Sequence, residues 1–179
     1  MRFRRFLLVV GLMCMGVFAS VQAQAPEAAY RLGAGDRLKI TVYGEPDLSG
    51  AFEVDGAGVV SLPLVGEVQA GGQTVRALAR AIEEAYRGDY LLNPRVSAEV
   101  LNFRPFFILG EVKSPGHYAY ISGMTVLNAV AVAGGYTYRA KKSEFEVKRT
   151  ISGAEQTLML SEKDKVMPGD VIHIDERFF

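Results

Sequence analysis

The sequence predicts an α+β fold in two small domains. Three observations predict it. Short runs of apolar/polar alternation recur through the chain, which is the period of half-buried strands. Only two segments carry apolar residues at helical spacing. Arg104-Pro105 then divides the chain into two sets, each with its own strands and one helix. Composition agrees. Of 179 residues 49% are hydrophobic and 22% charged, which supports packed cores and excludes a disordered chain. A single cysteine excludes a disulfide scaffold. Twenty basic residues balance twenty acidic ones, so no basic footprint points to nucleic acid.

Residues 1–23 read as a signal peptide. Arg2, Arg4 and Arg5 precede an apolar run over Phe6–Ala19, and Val21-Gln22-Ala23 offers a small-residue cleavage site. An apolar run this short falls below the ~18–20 residues of a spanning helix, although an uncleaved anchor is the competing reading. Cleavage after Ala23 removes Cys14 and with it all thiol chemistry. Met13 is bulky at the position before Cys14, which argues against acylation there. Residues 24–29 form a short tail.

Residues 30–104 make the first predicted domain. Gly33 and Gly35 mark a turn within Tyr30–Asp36, since glycine tolerates backbone angles that other residues resist. Leu38, Ile40 and Val42 alternate with Lys39, Thr41 and Tyr43 on a strand. Phe52 and Val54 alternate on the next, and Asp55-Gly56 is expected to open a hairpin. Val59–Leu64 returns, with Pro63 at a strand end or edge. Thr74 caps a helix that buries Val75, Leu78, Ala79, Ile82, Ala85 and Tyr86. Its wet face carries Arg76, Arg80, Glu83, Glu84 and Arg87, and Gly88 stops it. Val96, Ala98 and Val100 form the closing strand.

Residues 105–179 make the second. Phe106–Leu109 reads as a short buried strand, and Phe103, Phe106 and Phe107 as core residues. Tyr118 and Tyr120 alternate on the next strand. Thr125 caps a short helix ended by Gly134-Gly135. Strands are expected over Phe145–Arg149, Thr157–Leu160 and Val171–Ile174. Gly35-Asp36-Arg37-Leu38-Lys39-Ile40 is echoed by Gly169-Asp170-Val171-Ile172-His173-Ile174. A Gly-Asp turn that feeds a strand explains the echo without a repeat; a true repeat would produce it too.

The residues present no catalytic constellation. His117 and His173 stand apart on predicted strands, and no HExxH, GxSxG or Walker A sequence occurs. Gly33-x-Gly35 precedes a strand instead of joining strand to helix, so it fails as a dinucleotide fingerprint. Glu83 and Glu84 are helix neighbours and cannot face one another. No metal site, cofactor or catalytic residue is expected. One charged group stands out: Arg139, Lys141, Lys142, Lys148 and Arg149 are five cations within eleven residues. A solvated loop explains them; so does contact with an anionic polymer or an acidic partner surface.

The motifs in order resemble the outer-membrane polysaccharide export (Wza-like) family. Tyr30–Asp36, the strand after it, Asp55-Gly56, Val60–Val68, Gly72-Gln73-Thr74 and Asn93–Val96 resemble its polysaccharide export domain. Leu109-Gly110-Glu111-Val112, Pro115-Gly116, Thr125-Val126-Leu127, Ala133-Gly134-Gly135 and Pro168–Ile172 resemble a soluble-ligand-binding β-grasp (SLBB) domain. In this likeness Gly33, Gly35, Asp36, Gly110, Glu111, Pro115, Gly116, Gly134, Gly135, Gly169 and Asp170 shape turns. The resemblance implies a non-enzymatic component of an exopolysaccharide or capsule export machine. It would sit in the periplasm against the outer membrane. It would form a homo-oligomeric ring around the polysaccharide and work with an inner-membrane polysaccharide co-polymerase. Many relatives are lipoproteins, and longer ones add SLBB repeats and a pore-lining helix; here one repeat is seen. The mature residues offer no ~20-residue apolar run and too few ~10-residue strands for a barrel. A separate outer-membrane β-barrel is therefore expected as a further partner. A monomeric periplasmic carbohydrate-binding or signalling module is the rival reading.

Overall fold

The computed structural model describes residues 30–151 and 153–177. The signal peptide, its cleavage site, Cys14 and the 24–29 tail lie outside the described residues. Among the described residues two α-helices, one 3-10 turn and ten strands give the mixed α+β architecture expected. The buried apolar side chains form two clusters, one running from Leu32 to Tyr86 and one from Phe106 to Ile174. Arg104 lies in the link between them.

The first cluster is built on β1 (Arg37–Val42), which sits between β2 (Gly50–Glu53) and β5 (Val96–Asn102), antiparallel to both. Its alternation works as a period-two pattern should: Leu38, Ile40 and Val42 are buried on one face. Helix α1 (Val75–Tyr86) covers that core with Leu78, Ile82 and Tyr86. Thr74 caps it, its hydroxyl accepting from the Ala77 N–H at 3.2 Å. Gly88 follows the last turn with φ +93°, a left-handed angle suited to glycine. Truncating Leu78 to Ala would cost about 2–5 kcal/mol, the usual loss at a filled core site.

Two expectations change here. The turn at Asp55 is present: its carboxylate accepts from the N–H groups of Ala57 and Val59 at 2.8 and 3.0 Å. It opens no hairpin, however. β2 pairs with β1, whereas β3 (Val59–Leu62) pairs with β4 (Gly66–Gln69) in a sheet of their own. The Val59–Leu64 run therefore ends at Leu62 and turns through Pro63–Val65 into its partner. Glu83 also leaves the wet face. Its carboxylate accepts from the Val96 N–H at 2.9 Å and ties α1 to the start of β5. Ala85, expected on the buried face, is exposed.

The second cluster lies under a five-stranded sheet in the order β7 (Gly116–Tyr118), β6 (Phe106–Gly110), β10 (Val171–Ile174), β8 (Phe145–Ile151), β9 (Ala154–Leu160). β10 runs parallel to β6 and antiparallel to β8. Helix α2 (Val126–Val132) packs on one face, which suits the β-grasp expectation. A capping box starts it, with Asn128 N–H donating to the Thr125 hydroxyl and Thr125 N–H to Asn128 Oδ1. A Schellman pair ends it, with Gly134 N–H donating to Ala131 and Gly135 N–H to Val130. β6 is not buried throughout. Phe106 and Ile108 are fully covered, while Phe107 and Leu109 are 42% and 44% exposed on the open face. A sheet covered on one side demands this alternation, and the four apolar residues in a row hid it. Tyr120 lies beyond the end of β7. Among the described residues no helix is long and apolar enough to cross a membrane.

Candidate functional site

The candidate site is the junction between the two cores, where the two Gly-Asp turns meet Arg104. Asp36 and Asp170 are the only polar side chains among the described residues that are buried with no exposure. A buried carboxylate is costly unless each oxygen has partners. Asp36 has four. Gly33 N–H donates to its Oδ2 at 2.8 Å and Arg104 N–H to its Oδ1 at 2.9 Å. The Tyr30 hydroxyl donates to Oδ2, and the Arg104 guanidinium meets the same oxygen at 3.2 Å. Burial, and next the bond to Asp36, push the Tyr30 phenol well above its ordinary value.

Asp170 repeats the turn. Asp170 N–H donates to the Met167 carbonyl as Asp36 N–H does to that of Gly33. Met167 N–H donates to Asp170 Oδ2 at 2.7 Å. Arg149, on β8, then grips the carboxylate with both arms, Nε to Oδ1 at 2.9 Å and Nη2 to Oδ2 at 2.7 Å. Nη2 also donates to the Lys165 carbonyl at 2.9 Å.

Arg104 joins the two turns. A Cβ placed on Gly33 would lie 2.3 Å from its Nη1, and one on Gly169 would lie 2.6 Å from its Nε. A side chain on Gly33 would therefore push the Arg104 guanidinium aside, whereas Gly35 and Gly169 carry positive φ. Gly169 N–H donates to the Pro105 carbonyl and Phe107 N–H to that of Asp170, so the link is stitched directly to the second turn.

A cleft of about 380 Å³ opens on this junction, walled by Tyr30, Arg31, Arg104, Arg149, Met167 and Pro168. A second, wider hollow of about 660 Å³ adjoins it along Gly56–Gly58 and Gln69. The two share Arg31, Gly71, Gly72 and Gly153. Arg31 is exposed and donates to the Gly72 carbonyl at 2.7 Å.

The other motif residues sit apart from the junction. Gly110 has φ +85°, and a Cβ there would meet the Ile174 carbonyl oxygen at 2.1 Å. Glu111 accepts from the Thr137 hydroxyl. Pro115 leads into β7, which Gly116 begins, and Gly134 and Gly135 end α2. The five cations do not form one group. Arg149 belongs to Asp170. Arg139 donates from Nε to Glu176 at 2.6 Å, and Lys148 lies 3.9 Å from Glu155. Lys142 sits 5.4 Å above the Tyr136 ring, and Lys141 lies beside it in a shallow hollow with Tyr138 and Ser143. Sequence reasoning missed Tyr30, Arg31 and Arg104 as site residues. The one signal for Arg104 was its place beside Pro105.

The comparisons bear on this architecture. Residues 24–101 match the family model described as polysaccharide biosynthesis/export protein, and residues 105–160 match the SLBB domain. The chain is 31% identical over 177 residues to the exopolysaccharide production protein ExoF of Rhizobium meliloti, covering 92% of this chain and 41% of that protein. It is 31% identical over 108 residues to the polysialic acid transport protein KpsD of Escherichia coli, 59% of this chain and 19% of the other. Against the EPS I polysaccharide export outer membrane protein EpsA of Ralstonia solanacearum it is 28% identical over 148 residues, 64% and 37%. The chain spans less than half the length of each of these relatives. A polysaccharide export domain, a link locked by Arg104 and an SLBB domain thus follow in order: residues 24–101 belong to the polysaccharide biosynthesis/export family and residues 105–160 to the SLBB family.

Proposed function

We propose that this protein is a non-enzymatic component of an exopolysaccharide or capsule export machine, held in the periplasm against the outer membrane. Copies of the chain form a ring that guides the polymer. An inner-membrane polysaccharide co-polymerase feeds the ring, and a separate outer-membrane β-barrel receives from it. Residues 30–104 and 105–179 act as the export and SLBB domains of each subunit, delivered by a signal peptide cleaved after Ala23. The observation that carries this reading is the collinear likeness of 92% of the chain to ExoF, a protein named for exopolysaccharide production. The junction supports it physically. Two domains joined by a link whose Arg104 is paired with buried Asp36 and packs on Gly169 make a stiff subunit, and stiff subunits close into rings of defined size. The turn motif residues serve that stiffness, and Lys141 and Lys142 face an acidic polymer or partner surface.

Deletion of the gene tests the reading. Polymer should then accumulate inside the cell or its synthesis should stall, with secretion restored by the intact gene. Native mass spectrometry of the mature protein should give a closed multiple of the subunit mass, and N-terminal sequencing should begin at Gln24. A monomer in cells whose secretion is unchanged would overturn it.

A further inference from the structure

We propose that the two adjoining hollows at the junction form one groove that holds a segment of acidic polysaccharide; this rests on the export reading and names the polymer's charge. Three guanidinium groups line the inner hollow, and no carboxylate lines either one. Asp36 and Asp170 stand behind Arg104 and Arg149 and hold their planes fixed, each arginine being about one fifth exposed. Arg149 spends Nε and Nη2 on its partners, which leaves the Nη1 hydrogens for a ligand. Arg104 spends Nη1 on Tyr30 and Asp36, which leaves Nη2. Arg31 has only a carbonyl as its partner, so its charge is not cancelled. Donors fixed in advance by buried partners bind anions at little ordering cost.

The walls suit a sugar chain. Met167 and Pro168 give an apolar flank for ring C–H groups. Gln69 donates its amide N–H to the Gly58 carbonyl at 3.1 Å, so its own oxygen is left to accept a sugar hydroxyl. Gly71 and Gly72 have no side chains to keep a ligand off the backbone. Each hollow falls in the ~300–1,000 Å³ range of ligand clefts. A compact ligand would occupy one of them. Two that share Arg31, Gly71, Gly72 and Gly153 make an elongated, open-sided track, which fits a linear polymer.

The test is a titration of the isotopically labelled mature protein with short oligogalacturonate, a uronic-acid oligomer, followed by NMR. Neutral dextran oligomers and poly-glutamate serve as comparisons. Oligogalacturonate should shift the amides of Arg31, Gln69, Gly71 and Gly72 and should bind more weakly as salt rises. Arg31→Glu should weaken binding by about tenfold or more, since it replaces attraction with repulsion at an exposed site where the fold is not at stake. Lys113→Glu, an equal charge change away from the groove, should leave binding unchanged. Binding of dextran or poly-glutamate as tight as oligogalacturonate overturns the proposal. So does an unaltered affinity in Arg31→Glu, an absence of binding, or shifts confined to residues 139–142. Such a result leaves the export reading standing if deletion still blocks secretion. Groove binding in a protein whose deletion leaves secretion intact sinks the export reading instead.

Discussion

The turns at Asp36 and Asp170 are the same local device put to two uses. In both, the aspartate N–H and the backbone N–H three residues earlier close the turn, and an arginine neutralises the carboxylate. The second turn is domestic: Arg149 comes from β8, in the sheet that the turn serves. The first is not. Arg104 reaches Asp36 from the link between the cores, supplies both a backbone and a side-chain donor, and packs on Gly169 of the other turn. An identical motif thus closes one domain and couples two, and the origin of its arginine decides which.

The largest effect is expected from Asp36→Ala. It strands two backbone donors, the Tyr30 hydroxyl and a mostly buried guanidinium together, at about 3–5 kcal/mol. Asp170→Ala should cost less, about 2–3 kcal/mol, because Arg149 keeps the Lys165 carbonyl and solvent nearby. Urea denaturation compares them, and equal losses would erase the distinction drawn between the turns. Arg104→Met sharpens it further. Unfolding should separate into two transitions, one per core, while Arg149→Met should keep a single shifted transition; calorimetry distinguishes these outcomes.

Alkaline titration gives a smaller signal. The Tyr30 phenol keeps its proton in the folded protein above about pH 10, where the unfolded chain has lost it. The native state then binds more protons, so this stability is complete below about pH 10 and declines as pH rises beyond it. Tyr30→Phe should cost about 1–2 kcal/mol near neutrality and flatten that decline, read from urea midpoints across the alkaline range. Smallest of all on stability is the pair Lys141→Glu with Lys142→Glu. It should change unfolding by less than about 0.5 kcal/mol and yet reduce polymer secretion. Normal secretion at normal protein levels would return these lysines to a solvated loop.

The strands and helices were largely legible because each obeys one clear period, as β1 and α1 do. What escaped has physical causes. A turn such as Asp55 is written locally, but which strand its neighbour pairs with is decided by distant edges, here β4. Phe107 looked like core because hydrophobicity says nothing about which sheet face is covered. The cations of 139–149 were visible, but their partners Asp170, Glu155 and Glu176 were not, since charge pairing is set by the tertiary fold. The echo of the two Gly-Asp turns was the best trace of the site. It pointed to the carboxylates and was silent on Arg104, which carries no pattern of its own.

The central place of β10 also fixes when the molecule becomes whole. Its parallel neighbour β6 is the first strand after the link, and the turn that starts β10 holds Pro105 and Phe107 by their backbones. A chain that folds with its first residues leading could form the Asp36 core early. Arg104 could then hold Asp36, but its packing against Gly169 would wait some 65 positions more. Contacts this far apart in sequence close slowly, and an open sheet gap beside β6 is a surface on which neighbouring chains can pair wrongly. The junction is thus a finishing step, and chaperone demand should fall on the second domain before the first.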